Sequence, residues 1–183
     1  MLQIVLFALL SVGLVIQYEV IFPLESYLLS ASAASFLYIP HGIKTIMVVL
    51  SGYRALLPIF TAHLLAYVVW SVPTPSIALD AMVSTLVMFI PLMIWNFNRL
   101  NPLLAPLPIA DDSKLALFRI VIAVAFVSSL FNALFHTLIF ADEPIGILSF
   151  RFMTGDLLGS LFVLMLLILA KKPVIKLFNG RLN

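Results

Sequence analysis

The chain contains no cysteine among its 183 residues. That excludes disulfides, a thiolate nucleophile and any thiolate-ligated metal. Charge is also scarce: Asp, Glu, Lys and Arg together make up 10% of the residues, against about 25% in a soluble domain. Too few polar side chains remain to cover a water-exposed surface. With 63% hydrophobic residues and a mean hydropathy of +1.20, the composition is that of an integral membrane protein. The formal net charge is only +2, and the basic residues lie near the ends of apolar runs. No basic face forms for nucleic acid. The first twenty residues lack a basic leader and a small-residue cleavage site, so they read as a retained span rather than a signal peptide.

A transmembrane helix needs about 20 mostly apolar residues. Six segments meet or approach this length: about 2–16, 27–50, 55–72, 77–95, 115–140 and 145–170. Proline or glycine punctuates the boundaries at Pro23, Pro73, Pro75, the run from Pro102 to Pro108, and Pro144. The expected fold is all-α: a single polytopic helix bundle spanning residues 1–183, its short connections making neighbours antiparallel. There is no internal repeat and no stretch suited to a soluble output domain. Lys171, Lys172, Lys176 and Arg181 mark the C-terminal end as cytoplasmic under the positive-inside rule. Alternating from there puts Arg54 and the Arg99–Lys114 connection inside, and Glu19, Glu25, Asp142 and Glu143 outside. Both termini are then cytoplasmic.

Ionisable residues inside a span are costly and are functional candidates by default. Asp156 sits near the middle of the last span and shares a helical face with Phe152, Gly159, Ser160 and Val163. Gly155 and Gly159 form a small-xxx-small pair suited to close helix approach. Arg151 lies five residues earlier, about 140° round the helix, so it needs a partner other than Asp156. In the second span, Pro40 and Gly42 weaken the helix, and His41 and Lys44 share one face. Lys44 and His41 are therefore the expected counter-groups of Asp156, unless Lys44 snorkels to the headgroups. Ser128, Asn132 and His136 form a stripe at i, i+4 and i+8 that must face the bundle, since lipid offers no hydrogen-bond partner. Asn132 and His136 are the expected neighbours of Arg151. His63 reads as structural, and Trp70 and Trp95 as interfacial anchors.

Several chemistries can be argued down. The three histidines lie on different helices without metal-ligand spacing, so no metal is expected. Met153-Thr154-Gly155-Asp156 lacks the first glycine of a Gly-x-Gly-Asp intramembrane protease motif. Such an enzyme also needs a second aspartate at matching depth, and Asp80 reads as starting its span at the outer surface. No cofactor motif is present, and no enzymatic activity is expected.

Ile39-Pro40-His41-Gly42-Ile43-Lys44 and the downstream Gly52-Tyr53-Arg54-Ala55-Leu56-Leu57-Pro58 resemble a helix and turn of the first type of bacterial membrane-associated sensor (MASE) domain. The run from Arg151 to Gly159 is similar to an arginine followed by Gly-Asp-Leu-Leu-Gly in a late span of that family. The resemblance covers about a quarter of the chain. It implies a bacterial inner-membrane input module that signals through a partner, and it points to Gly42, Gly52, Arg54, Arg151, Asp156 and Gly159. The family carries about eight spans and an attached output domain, so this chain would be a short stand-alone relative. The functional expectation is a non-enzymatic sensory or ligand-binding module in the lipid bilayer, reporting to a membrane protein partner or a second copy. The expected cluster of His41, Lys44, Arg151 and Asp156 would bind a small ligand or hold an ion pair. The alternatives are a small-solute transporter or its substrate-binding subunit, and a structural subunit of a larger membrane complex.

Overall fold

The structure, a computed structural model, describes residues 1–29, 34–71, 76–96, 114–139 and 145–179. At 95–96, 114–117, 137, 139, 145 and 171–179 it describes the backbone alone. The described residues form helices α1 (Leu2–Ile16), α2 (Phe22–Leu28), α3 (Ile39–Ser51), α4 (Leu56–Val69), α5 (Ile77–Asn96), α6 (Lys114–Ile139) and α7 (Ile145–Asn179). None of these residues is in a strand. Five helical stretches are long and apolar enough to cross a membrane: Leu2–Leu28, Ile39–Val69, Ile77–Ile94, Phe118–His136 and Gly146–Ala170.

The first stretch is longer than the sequence suggests, because Pro23 does not end it. A wide π turn, Gln17–Ile21, joins α1 to α2 immediately before the proline. Proline lacks an N–H and crowds the carbonyl four residues back; a widened turn at that point lets the helix run on. The second expected span, 27–50, is not a kinked helix. Residues 34–38 are irregular, and helix starts only at Ile39, with Pro40 in its first turn. Proline is tolerated there because the first helical N–H groups have no intrahelical partner.

Ile39–Val69 is two helices rather than one. Gly52, at φ 57° and ψ −138°, turns the chain, a conformation open to glycine. The backbone N–H of Ile39 reaches Gln17 Oε1 at 3.1 Å, and Trp70 Nε1 reaches Glu19 Oε1 at 2.6 Å. A straight helix would hold residues 39 and 70 about 46 Å apart, yet both meet α1 or its π turn within a single turn of helix. Thus α3 and α4 are antiparallel. At about 1.5 Å per residue, each is shorter than the roughly 30 Å apolar layer of a bilayer. The irregular segment 34–38 therefore enters the bundle with α3.

The helices close a ring in which α1 packs on α4, α4 on α5, α5 on α6, α6 on α7, α7 on α3 and α3 on α1. Helix α3 also touches α5 and α6 and is buried from Ile39 through Val49. It is an enclosed member of the ring, so its polar side chains are interior ones. Outward positions such as Val12, Leu65, Leu86, Leu130, Leu158 and Leu166 are exposed and apolar, as a lipid-facing surface requires.

Candidate functional site

Buried irregular backbone needs partners for its N–H and C=O groups, and the four N–H groups from Phe36 to Ile39, leading into α3, find acceptors on three elements. The Glu25 carboxylate accepts from Phe36 N at 3.1 Å and Leu37 N at 2.9 Å. Tyr38 N donates to the Gly155 carbonyl at 3.0 Å. Gln17 accepts from Ile39 N with Oε1 and donates to Ser35 Oγ with Nε2, each at 3.1 Å. Gly155 and Gly159 leave room for this strap: a Cβ on either would collide with the carbonyl oxygen of Ser35 or Tyr38. Gly42 in turn lies against the Gly159 carbonyl and Val163. The small face of α7 thus receives an extended strap as well as a helix.

The strap delivers the first turn of α3 to α6 and α7. His41 Nδ1 lies 3.1 Å from Asp156 Oδ2, and His41 Nε2 lies 2.9 Å from Ser128 Oγ. Asn132 Nδ2 donates to the same Asp156 oxygen at 2.7 Å. One turn further along α6, His136 Nδ1 is 3.0 Å from the Asn132 carbonyl. Its Nε2 is 3.0 Å from Asp80 Oδ1 on α5. His41, Asp156, Asn132, Ser128, His136 and Asp80 are all buried. Two carboxylate–imidazole pairs therefore sit in one interior, joined through Asn132. Lys44, one turn beyond His41, is wholly buried; its Nζ has no hydrogen-bond partner and lies 5.7 Å from the centre of the Tyr38 ring. His41 Nδ1, Asp80 Oδ1, Asp156 Oδ1, Asn132 Oδ1, Thr45 Oγ1 and His63 Nε2 are also buried without hydrogen-bond partners. The two carboxylate–imidazole contacts are thus ion-pair contacts by distance and not aligned hydrogen bonds.

The polar interior is one-sided. Gln17, Asp80, Ser84, Ser128, Asn132, His136, Asp156 and Ser160 belong to the half of the bundle where α1 ends and α5 begins. Towards Arg54 and Arg119, the opposite half is filled by Leu6, Leu10, Met47, Val48, Val49, Ile59, Val87, Met88, Val121 and Leu164. The buried Ser11 hydroxyl is a polar exception there. Tyr67 and Ser84 extend the polar half toward α4, with their hydroxyls 3.2 Å apart.

Set beside the sequence expectations, the pairing is redistributed. Asp156 meets His41, while Lys44 stands apart without a hydrogen bond. The described surroundings of Arg151 are those of the strap: its guanidinium lies 4.8 Å from the centre of the Phe36 ring, beside a small pocket shared with Phe22, Glu25, Ser26, Leu29 and Ala34. Asn132 and His136, expected at Arg151, serve Asp156 and Asp80 instead. Asp80, expected at the outer surface, is 2% exposed. The missed signal was its spacing: Asp80 and Ser84 form the same i, i+4 stripe on an apolar helix that singled out Ser128 and Asn132. Gln17 was not singled out and Glu25 was read only as an outside-turn residue, because both serve a strap that has no periodicity.

Trp70 stacks on Tyr18 with ring centres 4.9 Å apart. The side chain of Trp95, the Arg99–Lys114 connection up to residue 113 and the Asp142-Glu143 turn lie outside what is described. Among the described residues, no group of three or more His, Asp or Glu side chains converges to hold a metal. No protein-family model matches the chain, and neither does any curated protein or solved structure.

Proposed function

We propose that this chain is a non-enzymatic sensory module of the bacterial inner membrane, a short relative of the MASE-type input domains. In this reading six helices cross the bilayer, both termini are cytoplasmic, and a partner protein or a second copy receives the signal. The carrying observation is the one-sided interior. The buried carboxylates and imidazoles occupy the half away from Arg54 and Arg119, while the half beside those cations is packed with aliphatic side chains. With the basic end cytoplasmic, the polar half faces outward and stops at a dry seal. A solute or ion entering it changes the charge around α3 without passing through. Helix α3 is suited to transmit that change, because its first turn is held by side chains from the π turn, α6 and α7 and its last turn ends at Gly52 beside Arg54.

The absence of cysteine makes a sided labelling experiment direct. Single cysteines at Ser84 and Ser160 in the polar half, and at Val87 and Val121 in the dry half, are exposed in sealed vesicles to a small impermeant thiol reagent added from one side at a time. The sensory reading expects slow labelling of the first pair from the face opposite the basic end, and none of the second pair from either face. Labelling of both pairs, each from its own side, would instead support a carrier with alternating access and would overturn the sensory reading.

A further inference from the structure

We infer that the pocket beside Arg151 binds a phosphoethanolamine head group, a phosphate joined to a primary ammonium, and that the strap responds to it. This rests on the sensory reading above and names what is sensed. The pocket lies where α2, the strap and the first turns of α7 meet, and its wall includes Phe22, Glu25, Ser26, Phe36 and Arg151. One cation, one anion and one hydroxyl thus share a small space with two aromatic rings. That space is about 220 Å³ with the open mouth included, below the roughly 300–1,000 Å³ of drug-sized sites. A small head group matches that scale.

Both charges are presented in a form such a group can use. The Arg151 guanidinium lies over the Phe36 ring, 4.8 Å from its centre, a cation–π contact that holds it at the pocket wall. A guanidinium has five N–H donors and serves several acceptors at once. Its planar fork matches two oxygens of one phosphate. Glu25 accepts from Phe36 N at 3.1 Å and from Leu37 N at 2.9 Å. Those donors are neutral, so the negative charge remains, and a carboxylate offers about four lone-pair positions for hydrogen bonds. A simple anion at Arg151 would bring a second negative charge beside Glu25. A zwitterion with its ammonium two carbons from its phosphate answers Arg151 and Glu25 together. Ser26, exposed at the rim, adds a hydroxyl.

The depth of the pocket suits a lipid source. The apolar stretch Gly146–Ala170 has 25 residues, about 37 Å of helix against an apolar layer of roughly 30 Å. Arg151 is only five residues, about 8 Å, from its start, and an arginine side chain reaches further toward the phosphates. The framing helices expose Leu24 and Leu28 on α2 and Ile147 and Phe150 on α7, apolar surface that acyl chains cover. Phe36 links the pocket to α3. It meets Arg151 through its ring and Glu25 through its N–H, and three residues later the chain enters α3 at Ile39. A head group held by both Arg151 and Glu25 ties together the two residues that grip Phe36, and the strap tightens.

The test uses the whole protein, delipidated in detergent. Native mass spectrometry compares retention of phosphatidylethanolamine, phosphatidylglycerol and phosphatidylcholine of equal chain length, and amide exchange is followed across residues 35–38 with each. Phosphatidylethanolamine should be retained about tenfold more than either of the others, the effect of one charge-assisted hydrogen bond, and it alone should slow exchange in the strap. Arg151→Gln should abolish that retention. Ser26→Phe fills the mouth from an exposed position, leaves both charges in place and should do the same, which guards against a folding defect in the arginine variant. Water-soluble glycerophosphoethanolamine at millimolar concentration separates the sources. Displacement of the lipid with the strap still slowed supports a free solute as ligand, and no displacement supports the lipid itself. Equal retention of the three lipids overturns the proposal. So does retention that both variants leave unchanged, or phosphatidylethanolamine binding without effect on the strap. None of these results alters the sided labelling of Ser84, Ser160, Val87 and Val121, so the failure would belong to the head group and not to the sensory reading.

Discussion

His41 Nδ1 stands 3.1 Å from Asp156 Oδ2, and this contact joins the first turn of α3 to the first half of α7. A carboxylate inside an apolar bundle costs several kcal/mol unless it is met by complementary groups. Here it is met by an imidazole and by the Asn132 amide. The Lys44 ammonium, although one turn away on the same helix, makes no hydrogen bond.

That arrangement predicts different coupling energies for the two candidate partners of Asn132. In double-mutant cycles read by thermal or denaturant unfolding, Asp156 and Asn132 should couple by about 1–3 kcal/mol, as groups in one hydrogen-bond network do. Arg151 and Asn132, which do not meet, should be additive within about 0.5 kcal/mol. Strong coupling of Arg151 to Asn132 would restore the pairing expected from the sequence.

Lys44→Met keeps much of the aliphatic stem and removes a buried amine that has no hydrogen-bond partner. Replacing buried ionic groups with apolar ones of similar size is often neutral or stabilising by about 1–4 kcal/mol. Unfolding measurements should find Lys44→Met at least as stable as the parent chain. A marked loss of stability would mean that the ammonium is satisfied within the bundle.

The α7 glycines should be intolerant of a single methyl group. Gly155→Ala and Gly159→Ala drive a Cβ into the carbonyl oxygens of Ser35 and Tyr38, which are backbone atoms and cannot rotate away. Overpacking of this kind costs about 1–3 kcal/mol. Gly146→Ala meets nothing within 4 Å and serves as the neutral control. Melting temperatures of the three variants in one detergent give the comparison.

Gln17→Leu is nearly isosteric but strands the Ile39 N–H and removes the donor to Ser35. A buried donor left unsatisfied costs about 1–3 kcal/mol. Faster amide exchange should be confined first to residues 35–41. Trp70→Phe, by contrast, keeps the stack on Tyr18 and gives up a hydrogen bond to the exposed Glu19. Its cost should stay near 1 kcal/mol or below.

The helical regions were legible because lipid crossing needs length and apolarity, and both are local. Helices α5, α6 and the start of α7 lie within a residue or two of their expected limits, 77, 115 and 145 against 77, 114 and 145. The first two expected spans fared less well. Pro23 was read as a stop, and the 27–50 segment as a kinked helix. A proline's effect depends on whether the preceding turn can widen, and an irregular strap depends on acceptors contributed from elsewhere. Neither condition is visible in a local window.

By itself the sequence determined that the chain is helical and apolar on its outside, and that Asp156, His41 and the Ser128-Asn132-His136 stripe face inward. Lipid accepts no hydrogen bonds, so these polar groups had nowhere else to go. Which of them meet was decided only by the tertiary structure. Gly52 folds α4 back along α1, and the α7 glycines admit the strap, enclosing α3 between α1, α6 and α7. Only then does Asp80 close on His136, His41 reach Asp156, and Lys44 fall one turn out of register with both. Partner choice among buried charges is set at hydrogen-bond range, through distances of about 3 Å between atoms on different helices, and periodicity within one helix cannot supply them.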